Sequence, residues 1–281
     1  MKKLILFTGV WALGMLTGCT EPQNETTKTE HTVEQKSESP KEMLKQAYQL
    51  FKEGNDAQSI ELANKVLKMG QETQNDTLIG KALTSLCRNA QRSQDTTRLA
   101  ELSAQLSELS QTTGNPQWMM YRAHMNAEMW RLIGDMDRAE MYYDESLKIS
   151  AETGAKGMYT IDHFNKSFVS IAKGDFETAK GMILKYYALR KEADPEAEDA
   201  YGLIALAYYL EQQENYAGAY EVAVVTRRLF EEQNLFPEPP DEKPLLQVEA
   251  KVNEMVSEES RTEIKTNSES LGVTSLLEKY L

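Results

Sequence analysis

Two cysteines, three histidines and a few closely spaced acids are the side chains with which this sequence could do covalent, acid–base or metal chemistry. Cys19 stands apart. It follows two small residues, Thr17 and Gly18, at the end of an uncharged run. Cys87 lies in a helical pattern at a position where small residues recur, which is the setting of a buried, inert thiol. His31 falls in a polar stretch. His124 and His163 have no Cys nearby, so structural or groove-lining roles are expected for them rather than metal ligation. Asp135 and Asp137 have a spacing that suggests a cation, but helix starts favour acids, and calcium needs more oxygens. No phosphate-loop, nucleophile-elbow or zinc-helix motif occurs. The expectation is therefore a protein without catalytic residues, cofactor or metal. A wall or glycan hydrolase, the remaining enzymatic reading, would need a carboxylate pair in a cleft.

The amino terminus explains Cys19. Met1-Lys2-Lys3 is a short positive start, and Leu4 to Leu16 is a 13-residue uncharged run. A membrane-spanning helix needs about 20 apolar residues, so the run is expected to be an export signal. Leu16-Thr17-Gly18-Cys19 resembles the lipobox of bacterial lipoproteins. That resemblance implies a diacylglycerol (a palmitate-type lipid) on Cys19, cleavage just before it, and a mature protein held at a membrane. Residues 1–18 are then the signal peptide. Thr20 is not the Asp that retains lipoproteins at the inner membrane of some diderm bacteria. An extracytoplasmic location is expected, on the outer membrane of a diderm host or otherwise on the outer face of the cell membrane.

Charge narrows the partners. Loss of Lys2 and Lys3 leaves 29 of the 31 basic residues against 44 acids, moving the formal charge from −13 to −15. A chain this acidic is repelled by phosphate backbones, so no nucleic acid partner is expected. Residues 19–39 hold one strongly apolar residue, Val33, among many Thr, Glu, Gln and Lys, and read as a disordered tether with a reach of roughly 25 Å.

From Pro40 onward the composition is that of helices, and the pattern repeats every 40 residues. The pairs Gly54-Asn55, Gln94-Asp95, Gly134-Asp135, Gly174-Asp175 and Glu214-Asn215 keep that register without slippage. In each pair the first residue suits a left-handed helix end and the second a cap for the next helix. Ser59, Leu99, Ala139, Ala179 and Ala219 follow four residues after the caps. Ala47, Cys87, Ala127, Ser167 and Ala207 precede the turns by seven residues, and small side chains at both places allow two helices to pack closely.

A small residue, then a Gly-Asp-aromatic turn, then an Ala resembles the tetratricopeptide repeat, best seen in Ser167 to Ala179 with its GDFETA. The resemblance implies an all-α, right-handed solenoid of helical hairpins. Five repeats would fill residues 40–236, with a C-terminal helical cap over 237–281. In that cap, Pro237-Glu238-Pro239-Pro240 is expected to lead into helices from about Pro244 to Glu259 and from Val273 to Leu281. The period of 40 implies longer helices than usual, similar to the repeats of large transcription activators and peptide-sensing regulators. Glu192 to Asp199 reads as solvated surface.

The family lines its concave face with the first helix of each hairpin. Carried over, this places Arg88, Gln91 and Arg92 on that face, then Tyr121, His124, Glu128 and Arg131, then Ile161, Phe164, Phe168 and Ile171, and finally Tyr201, Ile204 and Tyr208. Arginines beside aromatics suit an extended peptide, because guanidinium pairs with carboxylates and aromatic rings give contact area at little entropic cost. The expected function is a scaffold that docks an envelope protein or an extended peptide. The alternative is a peptide-binding sensor whose curvature changes on binding.

Overall fold

The computed structural model describes residues 38–196 and 198–281; Cys19, the expected export signal, His31 and nearly all of the expected tether lie outside them. Every regular element among the described residues is an α-helix. The ten helices of the repeats are α1 (Pro40–Lys52), α2 (Asp56–Glu72), α3 (Asp76–Arg92), α4 (Thr96–Thr113), α5 (Pro116–Ile133), α6 (Met136–Thr153), α7 (Lys156–Ala172), α8 (Phe176–Ala193), α9 (Ala200–Gln212) and α10 (Tyr216–Glu232). Then follow α11 (Pro239–Met255), α12 (Glu258–Asn267) and α13 (Val273–Tyr280). No described helix is long and apolar enough to cross a membrane.

The local chemistry of the turns sets the helix lengths. Gly54, Gln94, Gly134, Gly174 and Glu214 all take left-handed φ values, between 55° and 94°. Asp95, Asp135, Asp175 and Asn215 accept from the backbone N–H three residues on, at 2.9–3.1 Å, which satisfies an orphan donor of the next helix. Asn55 differs, donating instead to the Gln58 side chain at 3.1 Å. A second series of left-handed residues, Gln74, Gly114, Gly154 and Asn234, falls midway between the first. The chain therefore reverses every 20 residues, once within and once between hairpins. The break in this series is Asp194, whose φ of −148° is extended. Pro195 follows it, and proline disfavours helical backbone in the residue before it. The loop runs on to Asp199, and α9 starts late and is only 13 residues long.

Packing follows sequence order. Each helix of the repeats lies against the next, and α1 touches α3, α3 touches α5, α5 touches α7, and α7 touches α9. The first helices thus form a continuous inner layer of a helical solenoid. All ten small-residue positions of the repeat, Cys87 included, are fully buried where the paired helices meet. Burial pushes the Cys87 thiol up to about 12, which removes its thiolate at neutral pH. One apolar cluster fills the first hairpins, and a larger one fills the fourth and fifth hairpins and the cap.

The carboxyl-terminal segment departs from expectation in three ways. Helix α11 begins at Pro239 rather than near Pro244, because two prolines fit the first helical positions, where no N–H is needed. Helix α12 carries no buried residue and so leaves no apolar pattern to read; Ser257 caps it by accepting from the Ser260 N–H at 3.2 Å. In the acidic run before α9, Glu192, Asp194, Glu196 and Glu198 are exposed as expected, and only Asp199 is buried. Asp199 caps Tyr201 N–H at 3.0 Å and pairs with Arg190 at 2.5 Å. Glu198 accepts from the Val273 N–H at 2.7 Å and ties α13 down.

Candidate functional site

The inner layer encloses a cavity of about 540 Å³, built from α1, α3, α5, α7, the end of α8 and the starts of α9 and α11. Six of the residues expected on the concave face line it: Arg88, Gln91, His124, Ile161, Phe164 and Tyr201. The lining runs obliquely across the helices. Tyr48 and Phe51 stand six and three residues before Gly54, whereas Met158, Ile161 and Phe164 stand sixteen, thirteen and ten before Gly174. Successive hairpins in a solenoid rotate relative to one another, so a straight path meets each inner helix at a different level.

That rotation accounts for the residues the structure places elsewhere. Phe168 is 4% exposed and lies in the apolar core, T-shaped to Phe164 and 6.2 Å from the Tyr208 ring, which packs on the same core. Ile171 and Ile204 are core residues. Tyr121 faces a different recess, stacked on Trp118. Arg131 is not a free groove cation. Its side chain is 9% exposed and is held at 2.7 Å by Glu128, itself fully buried. Gln91 donates to the same carboxylate at 2.7 Å and the Tyr143 hydroxyl donates to its other oxygen. Burial works against an ionised Glu128, but Arg131, His124 and Tyr143 outweigh it and hold the carboxyl below its ordinary range.

Arg92 is likewise committed. Its guanidinium stacks 3.4 Å from the Phe51 ring centroid and pairs with Asp56 at 3.0 Å and Glu238 at 3.1 Å. It also donates to the Phe51 carbonyl. One side chain therefore joins the first hairpin, the second hairpin and the segment ahead of α11. That segment, residues 235–238, lies across the inner face: the Tyr201 hydroxyl donates to the Phe236 carbonyl at 3.0 Å, and the Glu238 carboxylate sits on Arg92. Just beyond, Asp241 lines the cavity and accepts no hydrogen bond from the described residues. Burial pushes its carboxyl up to about 7; Glu128 and Glu238 add to the rise and Arg131 opposes it. By contrast, Arg88 pairs with no carboxylate among the described residues and lies 5.6 Å from the Tyr48 ring centroid. The cavity thus has an unclaimed cation at one end and the chain's own acids at the other.

His124, Asp162 and Ser146 are the residue types of a nucleophilic triad, but their order forbids that chemistry. The Ser146 hydroxyl donates to Asp162 at 2.5 Å, and His124 Nδ1 meets the other oxygen of the same carboxylate at 2.6 Å. The imidazole does not touch the serine, which is fully buried. Burial would lower the His124 imidazole, but Asp162 and Glu128 together outweigh it and hold it above its ordinary value. His163 contacts the Tyr159 carbonyl through Nδ1 at 2.6 Å, and burial lowers it. Among the described residues no group of three or more His, Cys, Asp or Glu is placed to hold a metal.

Tyr48, Phe51, Arg190, Glu238 and Asp241 are cavity residues that sequence reasoning did not assign. For Tyr48 and Phe51 a signal existed, because they stand as far before Gly54 as Arg88 and Gln91 stand before Gln94. No protein-family model matches the chain, and no curated protein matches it.

Proposed function

We propose that this chain is a lipid-anchored, extracytoplasmic scaffold of tetratricopeptide-repeat type, tethered through Cys19, whose inner face holds an extended acidic segment of an envelope protein. The observation that carries this reading is the seat already taken by residues 235–238. There a tyrosine hydroxyl holds a backbone carbonyl and an arginine holds a carboxylate, while Arg88 nearby is left without one. The all-helical solenoid supports it, since stacked hairpins give a long inner surface.

The test is proximity labelling from the carboxyl terminus in the native cell, in wild type and Arg88→Glu, followed by titration of an acidic peptide from the dominant labelled protein. A loss of that protein on substitution, with peptide affinity reduced by about tenfold or more, supports the reading. An unchanged labelled set and unchanged affinity sink it. The anchor is checked separately, by incorporation of labelled palmitate that Cys19→Ala abolishes.

A second reading, a peptide sensor, is favoured by the same seat. An incoming segment that takes Arg92 from Glu238 would release the start of α11, which packs on both α9 and α10. Peptide binding that leaves amide exchange of residues 239–255 unchanged would rule it out.

A further inference from the structure

At the amino-terminal end of the inner face, between α1, α3 and α5, lies a second recess of about 350 Å³. Its wall is aromatic and apolar. Trp118, 1% exposed, stacks with Tyr121 at 6.3 Å between centroids. The indole rests on Gly80, where a Cβ would come within 2.6 Å of the ring. Glycine inside a helix costs about 1 kcal/mol relative to alanine, and here it lets the indole lie flat against the backbone of α3. Leu44 and Leu78 extend the surface.

The rim is cationic. Lys41, Lys45, Lys81 and Arg88 line it, no carboxylate does, and none of the four forms an ion pair among the described residues. Four unneutralised cations around one aromatic wall, in a chain of formal charge −13, leave the recess short of negative charge.

We propose that this recess binds a phosphate monoester carrying a flat or apolar organic group. A monoester carries close to two negative charges at neutral pH and three strong acceptor oxygens. Lysine ammonium groups serve it as point charges, and the arginine can grip two oxygens at once. A lone carboxylate would need Arg88 only and would leave the three lysines without a counter-charge. The organic group would lie on Tyr48 and Tyr121, which supply apolar area on rigid side chains, with the buried Trp118 stacked behind Tyr121. Ser85 is at hand as a further donor, since the other aliphatic hydroxyl of the lining, Thr84, is committed to the Gly80 carbonyl at 2.8 Å. The proposal goes beyond the scaffold reading: it concerns another space and another ligand class, although Tyr48 and Arg88 border both.

The test is titration calorimetry of the full chain in a neutral detergent, with phenyl phosphate, inorganic phosphate and phenylacetate as separate probes. Flotation with phosphatidylglycerol vesicles is run alongside. Phenyl phosphate is expected to saturate one site, with inorganic phosphate and phenylacetate each weaker by about tenfold or more. Lys45→Glu/Lys81→Glu is expected to abolish the binding, whereas Lys148→Glu/Lys185→Glu, the same charge change elsewhere, leaves it intact. All four lysines are exposed, so folding is retained and is checked by circular dichroism. The proposal is overturned if phenyl phosphate gives no saturation up to about 10 mM. It is equally overturned if either simpler probe binds as tightly, if the recess variant binds normally, or if the four cations bind vesicles and not the soluble ester. Failure of the acidic-peptide test at Arg88 leaves these outcomes unaffected, because the deciding substitutions are at Lys45 and Lys81.

Discussion

Asp241→Asn is expected to stabilise the protein at pH 8 and leave it almost unchanged at pH 4. The Asp241 carboxyl rises from 3.8 to about 7 in the folded chain, chiefly because the start of α11 carries it into the inner face. Below pH 4 the group is protonated in both folded and unfolded chains and contributes nothing to pH dependence. Between 4 and 7 the unfolded chain gives up this proton while the folded chain keeps it, so stability falls as pH rises. Above 7 the loss is complete and the curve flattens. At about 1.36 kcal/mol per pH unit the ceiling is about 4 kcal/mol. The side chain retains part of its surface in the open cavity, and solvent screening there reduces the expected effect to about 2 kcal/mol.

The assay is urea denaturation of wild type and Asp241→Asn at half-unit steps from pH 4 to 8. The difference between the two curves is the quantity of interest, because His124, held above its ordinary value, also withdraws stability as pH rises and does so in both proteins. Asparagine keeps the size of the side chain and removes the titration. A difference that opens by roughly 2 kcal/mol between pH 4 and 7 and then stays level bears out the argument. Two curves parallel across the whole range would refute it, and with it the reading that α11 presses an acid against Glu128 and Glu238.

Four other outcomes follow from the packing and the turns. Gly80→Ala drives a methyl group into the Trp118 ring, and thermal melting should show a loss of about 1–3 kcal/mol with a shift in tryptophan emission. Cys87, fully buried and with its thiol pushed up to about 12, should resist a maleimide in the native protein and react only in denaturant; rapid native labelling would place it outside the helix contact. Gly134→Ala, at φ 94°, should cost about 1–2 kcal/mol, while Gln94→Gly, at φ 55°, should be neutral or mildly stabilising in chemical denaturation.

What the sequence reveals here divides by range. The hairpin turns were legible because each is a local device: one residue able to go left-handed, one short polar side chain able to cap, and a small residue at a fixed distance on each side. Even Gln94 and Glu214, poor residues for a left-handed turn, could be placed because Gly54, Gly134 and Gly174 kept their register. The second turn series is harder to read, since Gln74, Gly114, Gly154 and Asn234 share a backbone angle but only two of the four are glycine.

The inner face was half legible for a related reason. Which helices line it is set by the alternation of hairpins, and that alternation is periodic. Which level of each helix faces the cavity is set by a rotation that accumulates from repeat to repeat, so positions copied unchanged from one repeat to the next drift off it; Phe168 and Tyr208 did so. The fate of Arg92 lay further still from sequence pattern. Its partner Glu238 is 146 residues away, in a proline-rich stretch outside the repeat register. Periodicity predicts where an arginine stands, but a carboxylate brought in by the return of the chain decides whether it remains free. For that reason Arg88, which no such acid reaches, is the arginine of the expected cluster whose substitution tests binding rather than folding, while substitution of Arg92 or Arg131 would report first on stability.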